Sequence, residues 1–311
     1  AVPSTSLYES GGISRLLQGG FAARKKGGPV MVYASENQIG AARMLEKLVF
    51  PGGTPPHVGF SDTVIARMGG PHRSKSLLES LQLRRLTPES EEALLVEDFD
   101  DIVIEKSGIP PGFGFKTGFS RFRETDKIGA HEELKLYGQN AAHSLLGFLA
   151  KLKGYEFMSD YSGDDDFGYM GVDALKFETG RWFARKYKKI EREVTNEENY
   201  GAWVVQLCRR IANPFLYDSV GRVARDPRRK LGWSDRLAGV MRRALSAGVS
   251  PWRYAIGTAC GLMLCREGMT ARSAVTHLEE IWREDENFDG KAAAGILPLV
   301  ANAFEIVREW R

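Results

Sequence analysis

A short apolar segment near the start of the chain constrains the fold more strongly than any other feature. Residues 29–35 read Pro-Val-Met-Val-Tyr-Ala-Ser, and an uninterrupted apolar run of this length is typical of a strand buried on both faces. Residues 10–26 before it and 39–50 after it have the apolar spacing of helices. Helix, buried strand, polar turn and helix is the order of elements in an α/β protein with a largely parallel sheet.

The polar turn that follows this strand is a first candidate for a functional site. Asn37 lies there, and in parallel sheets ligands bind at the carboxyl ends of the strands. An asparagine at this position would serve equally well as the cap of the next helix. The residues alone leave both interpretations open.

The rest of the chain divides into a part with strands and a helical part. Strand-like patterns recur at 58–68 and 93–106, whereas residues 69–92 are polar and are expected to be irregular. Glycines at 112–118 have the spacing GxGxxxG without a strand-to-helix context, which indicates a loop. From about residue 127 long helical segments follow one another. We therefore predict an α/β domain at 1–126 and an all-α domain at 127–311.

Composition excludes several classes of function. A net charge of +3 over 311 residues gives no reason to expect nucleic acid or a membrane surface as the partner. The chain contains no apolar run of membrane-spanning length and no targeting signal. Cys208, Cys260 and Cys265 lack metal-ligand spacing, as expected for reduced thiols. The prediction is a cytoplasmic protein that needs no metal.

The main candidate for an active site is the start of the first long helix of the second part. Lys135, Asn140 and His143 have the spacing K-x4-N-x2-H, and Glu132 precedes them. At about 100° per residue from Lys135, Asn140 falls at about 140° and His143 at about 80°. Glu132 falls at about 60°, so the four polar groups share one sector. A lysine in such a sector could transfer a proton at an alcohol or carbonyl, although a solvated face with a Glu132–Lys135 ion pair fits the spacing too.

A second candidate is a dense group of basic residues on a later helix and the loop after it. Five of nine positions are basic, at Arg222, Arg225, Arg228, Arg229 and Lys230. A nucleic-acid patch is disfavoured because no aromatic residues are interleaved and the net charge is small. A solvated turn is one alternative. The other is a clamp for an anion or a polyol, in which Arg222 and Lys230 point into a cleft.

Taken together, these stretches resemble the long-chain polyol-specific dehydrogenases, the mannitol dehydrogenase family, and most of all its mannitol-1-phosphate 5-dehydrogenase branch. The resemblance covers essentially the whole chain. Four ordered motifs carry it: Ala34-Ser35-Glu36-Asn37; Val58-Gly59-Phe60 with Asp62 and Arg67; Lys135-x4-Asn140-x2-His143; and Asn213-Pro214-x3-Asp218-x3-Arg222 with Arg225-Asp226-Pro227-x2-Lys230-Leu231.

This resemblance implies a fold and an activity. The expected fold is a partial Rossmann-like domain followed by a multi-helical substrate domain. The expected activity is NAD-dependent oxidation of a sugar alcohol or its phosphate, in the first place mannitol 1-phosphate to fructose 6-phosphate. Unphosphorylated mannitol or fructose, or a hexuronate, are the alternative substrates.

The resemblance also implies a role for each motif residue. Lys135 would be the general acid/base, Asn37 and Asn140 would donate hydrogen bonds to the reacting oxygen, and Glu132 would relay protons from the lysine. The substrate would be held by His143, Arg222, Lys230 and Asp62, and the cofactor would lie beside Ser35 and Asn37.

Two departures from the family pattern qualify these expectations. The acid that usually precedes the arginine of the strand motif is Ala66 here, so either one substrate contact is lost or Asp62 partly compensates for it. The family's glycine-rich phosphate turn, GxGxxG, does not occur in the sequence. We therefore expect that the N-terminal part of the Rossmann domain is missing. A non-catalytic remnant that binds a polyol phosphate is the alternative function.

Overall fold

The computed structural model describes residues 12–24, 28–36, 38–99, 101–106, 112, 119–187 and 197–311. The chain forms two compact units. The first unit comprises residues 1–67 and 98–135, and the second comprises 68–97 and 136–311. Asn37 lies outside the described residues.

The strands of the described residues form two sheets. They are β1 (Val30–Ala34), β2 (Val58–Ile65), β3 (Gly69–His72), β4 (Ala93–Val96), β5 (Ile102–Glu105) and β6 (Phe122–Thr125). In the first unit the order is β1-β2-β5-β6, with β1 parallel to β2, β2 antiparallel to β5, and β5 parallel to β6. In the second unit β3 and β4 form an antiparallel pair. The strand predicted from the apolar run at 29–35 is confirmed as β1. The expected burial on both faces is wrong, because β1 is an edge strand of the described sheet and only Ala34 is fully buried.

Helices cover the sheet of the first unit. They are α1 (Gly12–Ala23), α2 (Ala41–Val49) and α4 (Ile128–Glu133). Helix α3 (Lys75–Ser80) belongs to the second unit. Leu45 and Val49 of α2 pack on Val58 and Phe60 of β2 in one buried cluster. Ile128 of α4 packs on Val64 of β2 and Val103 of β5. Strand β2 lies between β1 and β5 and is buried at seven of its eight residues, including the polar Ser61, Asp62 and Thr63 at its centre.

The prediction that residues 69–92 are irregular is wrong. This part contains β3, α3 and the approach to β4, and the segment predicted as one strand at 93–106 is divided between β4 and β5 in different sheets. Gly69, Gly70 and Pro71 have no apolar alternation, so periodicity could not reveal β3. Backbone pairing with the apolar strand β4 forms it instead.

The described part of the second unit is otherwise helical. Its helices are α5 (Asn140–Lys153), α6 (Asp165–Asp173), α7 (Gly180–Tyr187), α8 (Glu197–Ile211), α9 (Val220–Ala224), α10 (Pro227–Lys230), α11 (Arg236–Ser246), α12 (Trp252–Cys265), α13 (Ala271–Arg283) and α14 (Gly290–Trp310). A Cβ atom at Gly257 of α12 would lie 2.7 Å from Leu145 of α5. Glycine therefore allows these two core helices to approach closely, which a larger residue would prevent.

Three helical stretches are irregular. The helix with the K-x4-N-x2-H motif is interrupted by a π turn at Leu134–Gln139, and a second π turn, Ala174–Thr179, lies between α6 and α7. Between Asn213 and Arg225 the chain forms a 3₁₀ turn, Pro214–Leu216, followed by α9. Tyr217, with φ of 46°, separates them. Apolar spacing does not distinguish an α turn from a π turn, so these interruptions have no sequence signal.

Helix α14 is long and apolar enough to cross a membrane by length and composition alone. Six of its residues, Ala293, Ile296, Val300, Ala303, Phe304 and Val307, are buried. The helix packs on α12 and α13. This pattern is that of an amphipathic core helix, so the packing within the unit already accounts for the apolar composition.

Candidate active site

Close packing between α5 and α9 brings together the residues of the candidate site in the second unit. A Cβ atom at Gly147 of α5 would lie 2.4 Å from Cγ1 of Val223 on α9, so only glycine allows this approach. His143 precedes Gly147 by one turn and therefore faces the same side of α5. The residue just before α9, Ser219, caps it by accepting a hydrogen bond from the backbone of Arg222 at 3.3 Å.

Asp218 connects His143 with Arg222. Its Oδ1 atom accepts hydrogen bonds from Nε (2.9 Å) and Nη2 (2.6 Å) of Arg222. Its Oδ2 atom lies 3.1 Å from Nε2 of His143, at ion-pair distance but without hydrogen-bond alignment. Burial acts to raise the pKa of Asp218, but His143 and Arg222 outweigh burial and hold this pKa below its usual range. Asp218 is therefore ionised at neutral pH and fixes the side chains of Arg222 and His143.

The backbone around Asp218 is held as firmly as its side chain. The carbonyl of Asp218 accepts a hydrogen bond from the amide of Met158 at 2.8 Å, and the amide of Val220 donates to the carbonyl of Glu156 at 2.8 Å. These bonds form an isolated antiparallel bridge between Phe157 and Ser219. The side chain of Asp218 is thus presented from a rigid segment.

A cleft of about 550 Å³ lies beside Asp218 and Arg222, within the second unit. One wall comes from β3, α3 and the residues between them, including Gly70, His72, Ser74 and Ser76. A Cβ atom at Gly70 would lie 3.6 Å from Nε of Arg222, so β3 runs directly along the guanidinium group. A cleft of this volume is typical of small-molecule sites.

Sequence reasoning missed part of this site. Asp218 was recognised in the family motif but was not among the predicted site residues, although its i,i+4 spacing to Arg222 is a signal for an ion pair. His72, Ser74 and Ser76 gave no signal, because they lie in the segment expected to be irregular.

Lys230 does not line this cleft. Its side chain is buried, its Nζ atom donates a hydrogen bond to the carbonyl of Val223 in α9, and it lies 5.7 Å from the ring centre of Phe148. Burial, together with the positive charges of Arg236 and Arg229, lowers the pKa of Lys230 to about 7. Asn140 is half-buried and is the first residue of α5.

In the first unit, two predicted site residues meet the start of α2. Gly40 precedes this helix with φ of 73°, a left-handed conformation that favours glycine, and has no side chain to cap it. Carboxylates take the place of a cap: Oε1 of Glu132 accepts from the amide of Gly40 at 3.1 Å, and Oδ1 of Asp62 accepts from the amide of Ala42 at 2.7 Å. Negative charge at a helix N-terminus is favourable.

The environment of Glu132 changes its acidity. Burial raises the pKa of Glu132 to about 7, and the negative charge of Asp62 acts in the same direction. Burial also raises the pKa of Asp62. Glu132 therefore exchanges its proton near neutral pH, which is a requirement for a proton relay.

Lys135 lies in the π turn at Leu134–Gln139 and is half-buried. A π turn closes on residue i+5 and contains one residue more than an α turn, so the angular positions predicted for a regular helix are wrong. π turns inside helices occur often at functional sites. Ser35 directly follows β1 and is exposed.

The fold is that of polyol dehydrogenases. A solved structure of D-sorbitol dehydrogenase in substrate-free form aligns with a TM-score of 0.67 at 16% identity, covering 96% of this chain and 64% of that chain. Mannitol 2-dehydrogenase from Pseudomonas fluorescens, in a ternary complex with NAD and D-mannitol, aligns with a TM-score of 0.63 at 17% identity, covering 95% of this chain and 64% of that chain. The predicted α/β plus all-α fold class is confirmed.

Residues 127–295 match the family described as the mannitol dehydrogenase C-terminal domain. The chain belongs to the mannitol dehydrogenase family, as its motifs predicted. Curated relatives include mannitol-1-phosphate 5-dehydrogenases from Exiguobacterium sp. (29% identical over 258 residues, 80% of this chain and 60% of the relative) and Bacillus velezensis (27% over 245 residues, 74% and 59%). The chain thus spans about 60% of the length of these relatives.

Proposed function

We propose that this protein is an NAD-dependent oxidoreductase that interconverts a polyol phosphate and the corresponding ketose phosphate, specifically mannitol 1-phosphate and fructose 6-phosphate. The observation that carries the proposal is the Asp218-centred arrangement of His143 and Arg222 beside a cleft of about 550 Å³ in the family-matched domain. The curated relatives named mannitol-1-phosphate 5-dehydrogenase support the phosphorylated substrate.

The cleft wall is consistent with a phosphate group at one end of the substrate. Arg222 provides the cationic group, and His72, Ser74 and Ser76 provide side chains that can donate hydrogen bonds to phosphate oxygens. Mannitol, fructose or a hexuronate would use the same donors with less electrostatic gain. We therefore rank the phosphorylated polyol first.

The turn after β1 fits the nicotinamide half of a dinucleotide. Ser35 is exposed at the carboxyl end of a parallel strand, and Oε1 of Gln38 is buried without a hydrogen-bond partner among the described residues. We propose that Ser35, Asn37 and Gln38 hold this half of the cofactor. NAD, when bound, supplies the hydride acceptor.

Proton transfer in this proposal belongs to Lys135 and Glu132. Lys135 takes the proton of the substrate hydroxyl as the carbon–hydrogen bond is broken, and Glu132 passes it to water. The pKa of about 7 at Glu132 makes both directions of this relay accessible near neutral pH. Asn140 and Asn37 are proposed to donate hydrogen bonds to the oxygen while its charge develops.

His143 and Arg222 are proposed to hold hydroxyl and phosphate oxygens, with Asp218 keeping both in place. Lys230 and Asp62 are proposed as substrate residues on the basis of the family motif alone, since the hydrogen bonds described for them involve backbone groups of this chain. We also infer that the protein acts in the cytoplasm, because Cys208, Cys260 and Cys265 are free thiols.

The test is NAD reduction by the protein with mannitol 1-phosphate and, separately, with mannitol. We expect turnover with the phosphate ester and a clearly lower kcat/KM with mannitol. Lys135→Ala should reduce kcat by about 100-fold or more, the usual contribution of a general base. Lys151→Ala, which removes an exposed lysine of α5, is the matched control and should leave kcat unchanged.

The outcomes separate the candidate functions. Turnover retained in Lys135→Ala would refute the general-base role. Binding of mannitol 1-phosphate without any binding of NADH would favour the alternative of a polyol-phosphate binding module. Equal kcat/KM for mannitol and its phosphate would refute the preference for the phosphorylated substrate.

A further inference from the structure

Both π turns of the described residues receive a hydrogen bond from a side-chain hydroxyl. The carbonyl of Tyr137, in the turn at Leu134–Gln139, accepts from Oγ1 of Thr179 at 3.4 Å. The carbonyl of Leu175, in the turn at Ala174–Thr179, accepts from the hydroxyl of Tyr200 at 2.9 Å. A π turn disturbs the regular i→i−4 pattern of backbone hydrogen bonds, and an inserted side-chain donor is a known means of stabilising such a break.

Thr179 links the first π turn to the core of the second unit. It is completely buried, and its Oγ1 atom lies 2.8 Å from the hydroxyl of Tyr254. Burial raises the pKa of Tyr254 well above its usual range, so this hydroxyl keeps its proton. A threonine hydroxyl has one proton. Thr179 gives that proton to the carbonyl of Tyr137, and Tyr254 therefore donates to Thr179.

Tyr254 is in turn fixed at the start of α12. Its amide donates to Oε2 of Glu178 at 3.2 Å, and the amide of Arg253 donates to Oε1 of the same carboxylate at 3.0 Å. Glu178 is almost completely buried and lies next to Thr179 in the second π turn. The hydroxyls of Tyr254 and Thr179 thus form a chain of hydrogen bonds from the start of α12 to the carbonyl of Tyr137.

The side chain of Tyr137 is in close contact with Arg243 and Gly239. Its ring lies 3.9 Å from the guanidinium carbon of Arg243, and a Cβ atom at Gly239 would lie 2.2 Å from the ring. Ring and carbonyl of the same residue are therefore both fixed by the surrounding helices. Tyr137 follows Lys135 by two residues in one turn.

We propose that Thr179 is a positioning residue that holds the π turn carrying Lys135 in its catalytic conformation. The claim about rate rests on the proposed function, in which Lys135 is the general base. The claim about the turn is independent of it: without the Thr179 hydroxyl, the Leu134–Gln139 segment opens more readily or returns to an α turn, and the side chain of Lys135 rotates with it.

The test compares Thr179→Val, which removes the hydroxyl at constant shape, with Thr179→Ser, which restores it. Amide hydrogen exchange of a peptide covering residues 134–140 measures the turn, and kcat with its pH profile measures Lys135. Loss of one such hydrogen bond should raise exchange and lower kcat by about threefold to tenfold in Thr179→Val. The pH dependence of kcat should change in Thr179→Val as well. Thr179→Ser should return the exchange rate, kcat and the pH profile toward the wild type.

Tyr254→Phe supplies a second variant if Thr179→Val folds poorly. It keeps the ring and removes only the donor to Thr179, so a smaller change in the same direction is expected. Unchanged exchange at 134–140 in both variants would overturn the proposal. Faster exchange with unchanged kcat and pH profile would also overturn it. Absence of turnover in the wild type would instead refute the proposed function, and the exchange result alone would then decide the role of Thr179 in the turn.

Discussion

Replacement of Asp218 by asparagine should destabilise the second unit at neutral pH. The substitution keeps the size of the side chain and removes the charge that holds Arg222 and His143. Asp218 is only 8% exposed, so its hydrogen bonds are little diluted by water. The carboxamide oxygen of the Asp218→Asn variant can still accept both bonds from Arg222, since both end on Oδ1, but the charge assistance is lost and an NH₂ group replaces the carboxylate oxygen beside His143.

The expected loss is about 2 kcal/mol. Hydrogen bonds to a charged group contribute about 1.5–3 kcal/mol each, against about 1 kcal/mol for a neutral acceptor, and both bonds to Arg222 are weakened in this way. The side chain of Arg222 is 35% exposed, which places the value toward the lower end because water screens the pair. The pKa of Asp218 is lowered in the folded protein, so its stabilising effect is present above the ordinary value of 3.8 and is lost as the pH falls through the folded value.

Tryptophan fluorescence in urea is a suitable assay, because all 6 tryptophans of the chain lie in the second unit. Unfolding curves at pH 7 and near pH 3.5 should give a difference of about 2 kcal/mol that shrinks at the lower pH. Asp226→Asn is the control, since Asp226 is 43% exposed and its pair with Arg229 should contribute less than about 0.5 kcal/mol. Equal stability of Asp218→Asn and Asp226→Asn at pH 7 would refute the reasoning.

Two other substitutions test the helix packing and the acidity of Glu132. Gly147→Ala should lower the free energy of unfolding by about 1–3 kcal/mol in the same assay, because its Cβ atom would lie 2.4 Å from Val223. The control is Gly201→Ala in α8, whose Cβ atom meets nothing within 4 Å and should leave stability unchanged. Equal effects would contradict the close contact of α5 and α9. Glu132→Gln should flatten the rise in the rate of alcohol oxidation that the wild type shows as the pH passes about 7, since glutamine cannot accept the proton that Lys135 passes on. An identical pH profile would contradict the relay.

Local sequence patterns were sufficient where a residue's role depends on its neighbours in the chain. The apolar run at 29–35 determined β1, and Asn213 of the Asn-Pro motif caps the 3₁₀ turn that follows it by accepting a hydrogen bond from the amide of Phe215 at 3.0 Å. The family motifs identified Lys135, His143 and Arg222 as candidates. In each case the information lies within a few consecutive residues.

The geometry of the site depended on tertiary contacts instead. Asp218 joins His143 and Arg222 only because Gly147 lets α9 lie against α5, two segments about 75 residues apart in sequence. Lys230 has the same motif spacing as in the family, yet packing turns its ammonium group to the carbonyl of Val223. Spacing cannot specify which of several neighbours a long side chain will reach.

The sequence by itself thus determined the fold class and the family and identified His143 and Arg222 as candidate site residues. The tertiary structure alone decided the β3–α3–β4 wall of the cleft and the two π turns. The physical reason is the same for both: a polar strand such as β3 exists through backbone pairing with a distant strand, and a π turn such as that of Lys135 is held by distant groups such as Thr179. Local apolar periodicity contains neither kind of information.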